Sequence, residues 1–67
     1  MMTEKEKIIN YLKSVGEAKT VQQISKDTGI EQKVVLSILN ELPRDIVAIE
    51  VEPLSGNNTS VKYRFVK

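Results

Sequence analysis

The sequence predicts one α+β domain over residues 1–67: three short helices, the second and third joined by a tight turn, then a two-stranded β-hairpin. Three observations carry this expectation. Apolar residues recur at helical spacing between Ile8 and Leu42, in runs opened by capping residues and closed by Gly or Pro. After Pro43 the pattern changes to β-branched, partly alternating segments on either side of a Gly- and Asn-rich loop. A chain of 67 residues supports a single core and buries only roughly 60% of its unfolded surface.

The first helix begins at Thr3. Thr3-Glu4-Lys5-Glu6 has the capping-box form, in which the hydroxyl accepts from the third helical amide and the carboxylate reaches back. Ile8, Ile9, Leu12 and Val15 then face the core, with Lys5, Lys7, Asn10 and Lys13 on the other side, and Gly16 ends the helix. Thr20 and Gln23 repeat the capping pattern for a second helix that runs to about Thr28 and stops at Gly29. Ile30 packs inward from the turn. Glu31 serves as N-cap of a third helix over about 31–42, and Pro43 prevents its continuation. Val21, Ile24, Ile30, Val35, Ile38, Leu39 and Leu42 thus converge on one core, at the spacing of a helix-turn-helix. Strands are expected over 46–52 and 61–66, with 53–60 as the loop. A register pairing Glu52 with Lys62 and Glu50 with Arg64 keeps the alternation consistent. Tyr63 and Phe65 then fall on the face that packs on the helices.

Composition removes several function classes. The chain has no cysteine, so neither disulfides nor thiolate metal sites, and no histidine, the commonest general base and metal ligand. No phosphate loop or convincing carboxylate pair is visible, so no enzyme, metal or cofactor is expected. The net charge of +1 is too small for a generic, strongly basic nucleic-acid binder. No apolar run approaches the roughly 20 residues of a membrane span, and Met1-Met2 is followed at once by a polar run. A cytoplasmic protein is expected, nucleoid-associated if it binds DNA.

The chain resembles the winged helix-turn-helix domains over essentially its whole length. The resemblance rests on Thr20-Val21-Gln22-Gln23-Ile24 through Thr28-Gly29-Ile30, with Val35 and Leu39. It implies a third helix that enters the DNA major groove and a hairpin, the wing at about 53–62, that touches the flanking backbone. It also implies a small extra strand at Ala18-Lys19-Thr20. Domains of this kind serve as transcriptional regulators and replication factors, and also as protein-interaction modules. In the winged domains that bind left-handed DNA, a recognition-helix Asn is followed four residues later by Tyr, and the wing carries Pro-Pro-x-Trp. Here those helix positions hold Leu36 and Asn40, and the wing has neither feature.

If the third helix reads DNA, Gln32, Lys33, Leu36, Ser37 and Asn40 face outward. Gln32 can bond bidentately to adenine, Lys33 can reach guanine or phosphate, and Ser37 and Asn40 suit phosphate or base contacts. The same pattern also fits a plain solvated face, and Glu31 and Glu41 add negative charge at the helix ends. Leu36 has three readings: partial packing against Val34 or the wing, a thymine-methyl contact, or an apolar anchor for another protein. On the wing, Lys62, Arg64 and Lys67 offer phosphate contacts, tempered by the cross-strand glutamates. Asn57 and Asn58, with Thr59 and Ser60, supply neutral donors at the tip. Basic residues interleaved with Tyr63 and Phe65 also fit a single-strand stacking platform. The expected partner is duplex DNA, bound weakly by one copy, so a homodimer or larger assembly would be needed. The first helix or Leu36 would have to mediate it. The rival expectation is a protein-interaction module using Leu36 and the outer face of the third helix.

Overall fold

Both threonine capping boxes form. In the computed structural model of the chain, which describes residues 3–66, α1 (Glu4–Val15) starts at Thr3. The Thr3 hydroxyl accepts from the Glu6 amide, and the Glu6 carboxylate accepts from the Thr3 amide. α2 (Val21–Thr28) repeats the exchange with Thr20 and the Gln23 side chain. Each exchange satisfies amides that a first helical turn leaves without partners. Gly16 and Gly29 close these helices at φ 68° and 77°, where a β-carbon would be strained. α3 (Gln32–Glu41) is flanked by Glu31, whose side chain makes no capping bond, and by Leu42 in extended conformation. The expected span 31–42 therefore loses one residue at each end, both acting as caps. Lys67, expected as a wing cation, lies outside the described residues, as do Met1 and Met2.

Side chains fix the turn between α2 and α3. The Ser25 hydroxyl donates to the Ile30 carbonyl at 2.5 Å, and the Ile30 amide donates to Thr28 Oγ1 at 3.3 Å. Both polar groups of Ile30 are thus satisfied from α2, while its side chain enters the core. Arg44 does similar work after α3. Its guanidinium reaches the Leu39 carbonyl at 3.5 Å and the Val47 carbonyl at 3.2 Å, joining the last turn of α3 to the chain that follows.

β1 (Val47–Pro53) and β2 (Thr59–Phe65) form a two-stranded antiparallel sheet, so the fold is α+β with three helices followed by a hairpin. Lys19 pairs with Tyr63 through both backbone bonds, at 2.9 and 2.8 Å, as a one-residue strand on β2. The core comprises Ile8, Leu12, Ile24, Ile30, Val35, Leu39, Leu42, Val47 and Tyr63. Val21 and Ile38, expected in it, are only partly buried.

The hairpin corrects two expectations. Its strands run Val47–Pro53 and Thr59–Phe65 rather than 46–52 and 61–66, which shortens the loop to 54–58. The register is also shifted by two residues: Glu50 opposes Lys62, Glu52 opposes Ser60, and Ala48 opposes Arg64. A two-residue shift preserves which side chains share a face, so alternation cannot distinguish the two registers. The turn does. Gly56 takes φ 68° between Ser55 and Asn57, the positive φ that tight hairpin turns need at their first central residue. The Leu54 amide then donates to the Asn58 carbonyl at 2.9 Å, which centres the hairpin on Gly56.

Between α1 and α2 the Tyr11 hydroxyl donates to Asp27 at 2.5 Å. Burial, this bond and the nearby carboxylates push the Tyr11 hydroxyl from its ordinary 10 up to about 12. Its folded pKa lies above the unfolded one. The stabilisation is therefore complete below pH 10 and is lost as pH rises through about 12. Tyr11→Phe is expected to cost about 1 kcal/mol near neutral pH and to remove that alkaline loss. Urea midpoints of both proteins across this window check it.

Candidate functional site

The exposed face of α3 is the first candidate. Gln32, Lys33, Leu36, Ser37 and Asn40 are all exposed, while Val35 and Leu39 are buried, so the helix turns the expected side outward. Lys33, Leu36, Ser37 and Asn40 fall at three- and four-residue spacings and line one stripe. Lys33 makes no hydrogen bond or ion pair among the described residues. Leu36 is 42% exposed, so its side chain is partly covered and partly open. Because the hydrogen-bonded turn before it anchors α3, this stripe is presented from a rigid element. Its charge is nonetheless mixed, with Glu31 and Glu41 exposed at the two ends.

The hairpin residues do not converge in the same way. Arg64 Nε donates to Glu50 Oε2 at 2.6 Å, a diagonal pair that forms despite the altered register. Lys62 is half-buried, faces Glu50 across the strands and lies near Glu17. The hydrogen bond and charge of Lys19 hold the Glu17 carboxyl below its ordinary range, and Lys62 adds in the same direction, against a smaller effect of burial. Lys19 itself pairs with Glu17 at 2.9 Å. The cations at the base of the hairpin are thus each set beside a carboxylate. Asn57 and Asn58 sit exposed at the tip, roughly 20 Å along the strand from Arg64. The tip residues and the basic residues therefore address different places. Tyr63 is buried and Phe65 half-buried, so the two rings serve the core and offer no stacking platform.

One surface was not foreseen from the sequence. Opposed positions share a face, so Val47, Ile49, Val51 and Pro53 lie with Phe65, Tyr63, Val61 and Thr59. The helices cover only the Val47–Tyr63–Phe65 end. Ile49 and Val61 remain 39% exposed and Val51 63%, with Leu54 at 53% where the loop begins. The signal was present as an apolar alternation longer than three short helices can cover, but only the register shows which part is left open.

An open depression between α1 and α2 is lined by Lys7, Asn10, Tyr11, Asp27 and Thr28. Its hydroxyls are engaged, Tyr11 with Asp27 and Thr28 with the Ile24 carbonyl. Among the described residues no helix is long and apolar enough to cross a membrane. No protein-family model matches the chain, and neither a curated protein nor a solved structure does.

Proposed function

We propose that the chain is a winged-helix DNA-binding module without catalytic activity, suited to regulating transcription or assisting replication. The observation that carries this reading is the exposed stripe of α3, where Lys33, without a partner among the described residues, stands among short polar side chains. α3 would lie in the major groove, Gln32 and Lys33 meeting base edges or phosphates near its start and Ser37 and Asn40 lying further along. The hairpin would act as the wing, in a subordinate role. Lys62 and Arg64 must leave or share their carboxylates to reach phosphate, and Asn57 and Asn58 contribute only neutral donors. An exposed pair such as Glu50–Arg64 is worth about 0.2–1 kcal/mol, so a phosphate can still compete for the cation. One copy then binds weakly, because few phosphates are neutralised.

The rival reading, a protein-interaction module of the same architecture, is favoured by one feature. Leu36 is exposed in the middle of the stripe, an apolar anchor within a polar rim.

Amide chemical shifts recorded with random-sequence duplex DNA, first at low and then at physiological salt, separate the two. Salt-sensitive shifts centred on residues 32–40 are expected for DNA binding. No shift even at low salt would overturn it and turn attention to partners lost on Leu36→Asp substitution.

A further inference from the structure

We propose that the distal apolar face of the hairpin is a self-association surface that pairs two copies of this chain face to face about a two-fold axis. It holds whether or not α3 binds DNA. The face carries Ile49, Val51, Pro53, Thr59 and Val61, and no charged residue of the two strands; Lys19, which pairs with Tyr63 at its inner edge, is held by Glu17 at 2.9 Å. All four charged side chains of the two strands, Glu50, Glu52, Lys62 and Arg64, lie on the opposite face. A sheet face left to solvent ordinarily alternates to polar residues. Here β-branched side chains continue past the end of the core, on a hairpin that gains little stability from its own two strands.

The open part of this face holds no charge, and Lys19 at its inner edge is neutralised by Glu17, which selects the occupant. A nucleic acid, an acidic or basic peptide and an anionic membrane would each find no counter-charge on it. A second copy offers a matching uncharged apolar face, and sheets stack face to face about 10 Å apart. A two-fold arrangement brings the patch against itself and keeps the glutamates, Lys62 and Arg64 outside, so no like charges are buried together. Neither alternative surface meets this condition. The outer side of α1 carries exposed Lys5, Lys7 and Lys13 with Glu4 and Glu6, and α3 offers Leu36 alone among polar groups.

The exposed apolar patch amounts to a few hundred Å² per copy. That falls short of the 800 Å² per partner typical of stable complexes, as an order-of-magnitude comparison. The dimer is therefore weak and reversible, and forms as concentration rises.

Sedimentation velocity without DNA, from about 10 µM to about 1 mM, is the test, with amide shifts followed over the same range. The average mass should rise from the 7.6 kDa of one chain towards twice that value, with shift changes confined to residues 49–54 and 59–61. Val51→Asp should hold the mass at one chain throughout. Val51 is exposed, so the circular dichroism of this variant should match the parent, and Val51→Asn provides a second, uncharged disruption. A single-chain mass at every concentration would overturn the proposal. So would association that survives Val51→Asp and is lost on Leu36→Asp. Binding of the single chain to neutral phosphatidylcholine vesicles without self-association would overturn it in favour of a lipid surface.

Discussion

Leu39→Ala is expected to remove about half of the domain's stability. Leu39 is fully buried, on the side of α3 that packs into the core with Ile24, Ile30 and Val35. Removing three buried carbons loses their transfer free energy and leaves a cavity, together about 2–5 kcal/mol. A domain of this length has a total stability of only about 3–10 kcal/mol, taking the usual value per residue. The variant therefore loses about half of what separates folded from unfolded chain. The measurement is a urea titration followed by circular dichroism, with the midpoint falling sharply and the slope unchanged if any folded state survives. Leu36→Ala, one helical turn away on the exposed side, should shift stability by no more than about 0.5 kcal/mol. Similar losses at both positions would mean that α3 does not have the inward and outward faces described.

Charge reversal at Lys33 has the second large effect. Under the DNA-binding proposal, Lys33→Glu should weaken duplex binding at low salt about tenfold or more, because an attraction to phosphate becomes a repulsion. Lys33→Ala should weaken it several-fold and reduce the slope of log affinity against log salt by about one. Arg64→Ala should do less than Lys33→Ala, since Arg64 is already bonded to Glu50 at 2.6 Å and its loss also removes a competing interaction. Fluorescence anisotropy across a salt series measures all three. Equal effects at Lys33 and Arg64 would restore the wing to full partnership. No effect at Lys33 would remove α3 from the interface. None of the three should unfold the domain, because both side chains lie outside the core.

The helices were the most legible part of the chain, and the reason is local. Thr3 with Glu6, Thr20 with Gln23, and glycines at 16 and 29 each act within one helical turn, so their spacing announces the boundary they make. The outward face of α3 followed from the same logic, because burying Val35 and Leu39 leaves little choice for Lys33, Leu36 and Asn40. The role of Arg44 was not legible. Its partners, the carbonyls of Leu39 and Val47, are backbone groups that no side-chain pattern records. Tyr11 and Asp27 lie 16 residues apart, and no periodicity relates them.

The hairpin divides what the sequence could decide from what it could not. Alternation alone determined that there would be two strands, that Tyr63 would face the core, and that the glutamates would share a face with Lys62 and Arg64, since that pattern depends only on odd and even positions. The choice between registers two residues apart lay in the backbone of the turn, where Gly56 adopts a positive φ. That choice set Glu50 against Lys62 and left Glu52 opposite Ser60. How far the helices extend over the sheet was settled only by tertiary packing, which buries Val47 and Tyr63 and leaves Val51 and Val61 in the open. A sequence specifies which residues prefer burial. The amount of surface available to bury them depends on the length and placement of neighbouring elements, and that exists only once the chain has folded.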